Sequence, residues 1–427
     1  MELNGLSIDQ APPLSAPIRF FVTAPLFGII AGVLMFFNES AVLMGRFSVD
    51  SIVIAHALTI GFLGFIMLGA LTQMLPVLVG AKMPNVKLVS LVSYLALSFG
   101  LLAMIIGLLG ENEILTSLAA FGLGSGFLLM IGSMAIALKG VSNFTPTVKA
   151  ISTSLLFAIL IVLMGLYLLC GYILHDIDEL HIIIANIHSV WAVFGFAGIL
   201  IIGVAFQVLP MFYVAPKFKS FCKKKVVWLI STGLIMWLFL TLFKEEWTLL
   251  AKLWIATFFW AFATTVWLKL NKRRRPISDV TVWYWRAASL FLTLGSFLWI
   301  FDEYFKHEYI VMVAILIGGG FIMSIMLGMI YKVVPFLVWF HLNAMGYMSI
   351  PTMNEMINKK LAYIQFGTFM LSLVGFVFSF YVPELLQISS LSFIISMSIL
   401  EYNVIAPVLI YKKMIKTKPD FDMSAFS

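Results

Sequence analysis

Residues 56–81, HALTIGFLGFIMLGALTQMLPVLVGA, contain no charged side chain, and eleven further stretches of comparable length are nearly as apolar. A bilayer accommodates such runs, because about 20 apolar residues in a helix cross its hydrocarbon core. Backbone amides in hydrocarbon must be paired within the protein, and long runs without period-two alternation pair them as helices rather than as a barrel. Composition agrees. With 62% of residues hydrophobic, 11% charged and a mean hydropathy of +1.05, too few polar side chains exist to cover a soluble globule. The expected fold class is all-α, a polytopic integral membrane protein whose first partner is the lipid bilayer.

Windows of about 19 residues predict twelve spans, near 18–38, 51–79, 86–109, 114–139, 149–174, 181–214, 225–243, 248–271, 279–303, 308–341, 359–381 and 386–411. Basic segments (Lys82 with Lys87, Lys139 with Lys149, PKFKSFCKKK, NKRRRP, Lys359 with Lys360, and YKKMIKTK) alternate with the acidic GENE, LHDIDEL, KEE, FDEYFKHE and VPE. By the positive-inside rule both termini are expected on the cytoplasmic side of a bacterial inner membrane. The segment MELNGLSIDQAPPLSAP lacks the basic n-region of a signal peptide, so the first span is expected to be retained. The two basic clusters, PKFKSFCKKK and NKRRRP, read as anionic-lipid or nucleic-acid patches or as topology; topology suffices for them and for the net charge of +7, and no nucleic-acid partner is expected. Cys170 and Cys222 fall toward opposite faces and are expected not to pair.

The phrase at 56–81 returns at 188–215 as HSVWAVFGFAGILIIGVAFQVLPMFYVA and at 319–338 as GGFIMSIMLGMIYKVVPFLV. Alignment yields Gly-x-x-x-polar-x-x-Pro three times: Gly69, Gln73, Pro76; Gly203, Gln207, Pro210; Gly328, Lys332, Pro335. The polar residues fall in spans two, six and ten. One transmembrane domain over 1–427 is expected, with internal repeats near 18–139, 149–271 and 279–411 forming three pseudo-symmetric arcs of four helices.

Each proline lacks an amide hydrogen and is expected to kink its helix, loosening the carbonyls of Thr72, Phe206 and Tyr331. Gln73, Gln207 and Lys332 share the proline's face and would satisfy such groups, and the glycines would admit a close neighbour. Three such helices converging would also line a cytoplasm-facing polar cavity, suited to a proton path or an anion site.

The chain has six histidines. His56 and His188 lie in the outer halves of spans two and six, and an intramembrane imidazole is costly unless paired or ligated. Neutral histidine is the commonest metal ligand and a usual axial ligand of haem iron. His181, two turns before His188, would extend a metal site at His188, although with His175 it also stands beside Asp176, Asp178 and Glu179, where an interfacial role suffices. Of the intramembrane charges, Arg286 lies about two turns into span nine and Glu401 near the middle of span twelve. Glu401 is expected to be paired, with Arg286 or Lys332, or protonated; it is a candidate proton relay or half of an ion pair.

Twelve spans, cytoplasmic termini, a three-arc pattern and a histidine in the outer half of span two resemble subunit I of the haem-copper oxidases. The segment HALTIGFLGFIMLGALTQMLPVLVG also resembles the histidine-bearing segment of NnrS-type proteins. The oxidase resemblance implies His56 as ligand to a haem, of type b, and His188 as a copper ligand. Span seven and the stretch YIVMVAILIGGGFIMSIMLGMIYKVVPF of span ten contain no histidine, His341 falling beyond Pro335, and residues 56–59 read His-Ala-Leu-Thr where NnrS-type segments read His-Ala-His-Glu. A haem would then be completed by His56 with His188, or by His56 with a thioether such as Met312 or Met323.

The function implied is haem or copper binding in respiratory electron transfer or nitric oxide handling, with a cytochrome or another respiratory subunit as partner. The alternatives are a transporter or channel with a cytoplasm-facing cavity, and a scaffold descended from an oxidase that has lost its ligands. No nucleotide-binding or zinc-protease motif is present in the sequence.

Overall fold

A computed structural model describes residues 12–39, 43, 45–274, 278–305 and 308–421, and among these the regular elements are helical, without a strand. The long helices are α1 (Ser15–Phe36), α2 (Val49–Val77), α3 (Val86–Leu109), α4 (Glu113–Lys139), α5 (Pro146–Leu174), α6 (Glu179–Tyr213), α7 (Ser220–Phe243), α8 (Thr248–Asn271), α9 (Val280–Phe301), α10 (Ile310–Ala344), α11 (Lys359–Phe378) and α12 (Leu385–Met414). Eleven helices among the described residues are long and apolar enough to cross a membrane. The expected ninth span is present as α9 but is not among them, because its tryptophans, Tyr284 and Arg286 dilute its apolarity.

Helix starts follow local chemistry. The side chains of Ser48, Asn112, Thr145, Asp178 and Asn358 accept the first free amide hydrogens of α2, α4, α5, α6 and α11. The α7 helix begins at Ser220, ahead of its apolar window, because Lys223, Lys224 and Lys225 are already helical.

A π-helical stretch interrupts α2, α6 and α10, at Ala57–Gly64, Trp191–Gly198 and Ile315–Met323. Each ends five residues before the motif glycine, Gly69, Gly203 or Gly328, so the threefold repeat extends to backbone geometry. The pairs Gly61–Phe62, Gly195–Phe196 and Gly320–Phe321 occupy one common position within these stretches. π-turns are rare, occur mostly inside α-helices and recur at functional sites.

The motif glycines do what was expected of them. A Cβ on Gly69 would lie 3.0 Å from Phe20 Cβ of α1, one on Gly203 would collide with Ala150 of α5, and one on Gly328 would lie 2.8 Å from Tyr284 Cβ of α9. In each repeat, then, the second helix packs through this glycine onto the first. The prolines differ among themselves. Pro76 and Pro210 stand four residues before left-handed residues, Gly80 (φ 73°) and Val214 (φ 51°), that stop their helices. Both stops are closed by backbone bonds, Ala81 N–H to Leu75 O at 3.0 Å and Ala215 N–H to Leu209 O at 3.4 Å. In these two repeats the proline marks a helix end, whereas α10 continues past Pro335 to Ala344.

The chain divides into two compact units. One comprises Met1–Ser90, Asp279–Tyr284 and Ile325–Ser427; within it α1 packs against α2 and α12, and α11 runs along α12. The other comprises Leu91–Ser278 and Trp285–Ser324; within it α5 packs against α4 and α6, and α7 against α8.

Candidate functional site

In the first unit, His56 is the last residue before the π-turn of α2, and its Nδ1 lies 2.7 Å from the carbonyl of Ile52. A carbonyl only accepts, so Nδ1 carries the proton and the ring lone pair resides on Nε2. This is the arrangement by which a ligating imidazole is oriented, the second nitrogen being anchored to backbone.

In the second unit, His188 precedes its π-turn by three residues rather than one, so His56 and His188 differ by two positions in the aligned repeat, about 200° around a helix. Its Cε1 lies 3.2 Å from where a Cβ on Gly165 would sit, and the Nδ1 of His181 lies 2.5 Å from the same point on Gly171. Both rings thus fill spaces that α5 leaves by having glycine. His181 is 5% exposed and lies edge-on to Tyr172 at 5.6 Å between ring centres. His175 is exposed and bonds Glu113 at 3.0 Å, as befits an interfacial residue. Among the described residues no group of three or more His, Cys, Asp and Glu side chains is arranged to hold a metal ion. His307 lies outside the described residues.

The polar residue of the Gly-x-x-x-polar-x-x-Pro motif behaves alike in the first two repeats and differently in the third. Gln73 is 4% exposed and, among the described residues, neither atom of its amide group has a hydrogen-bond partner; the Oε1 of Gln207 is likewise buried without one. Gln73 therefore does not satisfy a carbonyl freed by Pro76. Lys332 instead forms an ion pair, its Nζ 2.5 Å from Asp279 Oδ2. The Oδ1 of Asp279 accepts the backbone amides of Thr281 (3.1 Å) and Val282 (3.3 Å) at the start of α9. Lys332 and Asp279 thus tie α10 to the cap of α9.

Burial pushes the Asp279 carboxyl up, but the Lys332 ammonium, by charge and hydrogen bond, and the donors Thr281 and Val282 outweigh it and hold the group below the usual aspartate range. A depressed folded value stabilises the fold at pH above the ordinary aspartate range, and that contribution is lost as pH falls through the lowered value. Thermal unfolding in detergent should accordingly show an acid-side loss of stability that is smaller in Asp279→Asn. An equal acid response in both proteins would exclude Asp279 as its source.

Arg286 and Glu401 are also placed. Arg286 Nη2 bonds Asn271 Oδ1 at 3.2 Å, and its guanidinium lies 5.6 Å from the Trp267 ring centre. Arg286 and Lys332, the expected partners of Glu401, each have these other partners, and among the described residues the buried Oε2 of Glu401 has no hydrogen-bond partner. Asn358, which caps α11, donates its backbone amide to Asn403 Oδ1 at 2.9 Å, placing this stretch of α12 level with the first turn of α11.

Two buried polar clusters were not expected. In the first unit, Tyr284 and Tyr331 both donate to Oε1 of Gln365, and Gln365 Nε2 donates to Ser396 Oγ at 2.8 Å. In the second, Lys252 of α8, 2% exposed, pairs with Glu303 at 2.5 Å, and its ammonium lies 5.6 Å from the Trp299 ring centre. Trp299 in turn stacks at 4.9 Å on Phe194, a residue of the π-turn of α6. A lysine one turn inside an apolar window was the sequence signal for this cluster.

No protein-family model matches the chain, and no curated protein matches it either.

Proposed function

We infer that the chain is a haem-binding integral membrane protein of the kind represented by subunit I of the haem-copper oxidases and by NnrS-type proteins, serving respiratory electron transfer or nitric oxide handling. His56 would hold a b-type haem through its Nε2. The observation that carries this reading is the anchoring of His56 Nδ1 on Ile52 O immediately before a π-turn. The same turn recurs at one register in all three repeats, which supports three four-helix arcs. The haem would supply one-electron chemistry, and His56 would set its position and, through the hydrogen bond to Ile52, its ligand strength. A bacterial inner membrane with both termini cytoplasmic, and a cytochrome or another respiratory subunit as electron partner, belong to the same proposal.

Copper fits less well. His181 and His188 offer two imidazoles toward α5 without a third donor among the described residues, and no copper chemistry is assigned to them.

His56→Ala purified from haem-replete cells should lose the Soret band of the parent while keeping its helical circular dichroism. A band of unchanged intensity in a folded variant would remove His56 as the ligand.

A further inference from the structure

The inner ends of α7 and α8 carry more positive charge than membrane orientation requires. Lys82 and Lys87 flank the turn between α2 and α3, and Lys139 and Lys149 that between α4 and α5, whereas residues 217–225 contain five lysines and 269–274 contain two lysines and two arginines. These two stretches, distant in sequence, are joined into one patch. Lys269 Nζ donates to the carbonyls of Pro216 at 2.9 Å and Lys217 at 2.8 Å, and stands 4.6 Å from the Phe218 ring centre. The backbone amide of Arg274 donates to Val214 O at 3.2 Å.

No acid balances the patch from its own hairpin. Between Val214 and Ser278 the acidic residues are Glu245 and Glu246, at the far end of α7 and α8. Lys223, Lys224 and Lys225 also occupy the opening turns of α7, where the helix dipole disfavours cations. Such an arrangement calls for an anion. On the same helix Phe221 and Trp228, seven residues apart and so on one face, are 69% and 63% exposed.

We propose that this patch binds the phosphate headgroup of an anionic phospholipid of the inner leaflet, with Phe221 and Trp228 lying along its acyl chains. Clustered Lys and Arg beside a membrane helix attract anionic headgroups, and the adjoining exposed aromatic rings favour a lipid over a free anion. The proposal is independent of haem binding.

The test compares thermal unfolding of the full-length protein in neutral detergent with added phosphatidylglycerol, phosphatidylcholine or inorganic phosphate, alongside lipid retention by native mass spectrometry. Phosphatidylglycerol should raise the midpoint by several degrees over phosphatidylcholine, since a ligand of the folded state stabilises it, and should be retained preferentially. Inorganic phosphate should not reproduce the shift. The triple variant Lys223→Gln, Lys224→Gln, Lys225→Gln should lose most of the increment, and Lys272→Gln with Arg274→Gln serves as a second variant should the first fail to fold. Equal midpoints in the two lipids, an undiminished increment in the variants, or an equal shift with inorganic phosphate would each overturn the proposal.

Discussion

Glu303→Ala should destabilise the protein by about 3–5 kcal/mol, the usual cost of leaving a buried charge without its partner. Lys252 is 2% exposed, with its Nζ 2.5 Å from Glu303 Oε2. Its other neighbour in hydrogen-bond range is the Trp299 carbonyl at 3.4 Å. A carbonyl dipole does not replace a carboxylate, so the orphaned ammonium must draw water into the aromatic cluster around Trp299. The double variant Lys252→Met, Glu303→Leu should recover most of the loss, because removing both charges also removes their desolvation cost. Chemical denaturation in mixed micelles measures both variants. A single variant no less stable than the double would show that Lys252 finds compensation elsewhere.

Gln365→Leu should have the second-largest effect, on the order of 2–4 kcal/mol, because it strands several buried groups at once. The hydroxyls of Tyr284 and Tyr331 converge on Oε1, and Ser396 accepts from Nε2. Tyr284, Gln365 and Ser396 are each fully buried, so water does not replace the lost bonds. Tyr284→Phe removes only one donor and should cost no more than about 1 kcal/mol. Comparable losses in the two variants would mean that Gln365 acts through shape and not through its amide group.

The sequence made the membrane helices legible because apolarity over a helix length is a local property. Val86–Leu109 coincides with its expected window, and α4 with Glu113–Lys139 departs from its window by one residue. The close approaches at Gly69, Gly203 and Gly328 were legible, because only a residue without a Cβ admits the preceding helix there. The π-turns were not read, although Gly61–Phe62, Gly195–Phe196 and Gly320–Phe321 recur at one spacing and were a usable signal. The helix-ending role of Pro76 and Pro210 depends on left-handed residues four positions later, and Val214 gives no compositional hint of that conformation.

Side-chain pairing was the least legible level. Lys332 was expected to face a cavity or Glu401, but Asp279, reached across 53 positions, takes it because the same carboxylate also caps α9. Lys252 with Glu303 and Tyr284 with Gln365 join residues 51 and 81 positions apart, and neither partner announces the other in a single sequence. His56 and His188 looked like one feature repeated. Counting from the π-turns separates them by two positions, so a role for one does not transfer to the other.

The central claim is that His56 holds a haem. Its most direct test is the absorption spectrum of the detergent-purified parent protein from haem-replete cells, together with extracted haem per polypeptide. The account predicts a Soret band and about one b-type haem per chain, the count that a single axial histidine implies. A colourless, haem-free preparation that is folded by circular dichroism would contradict it.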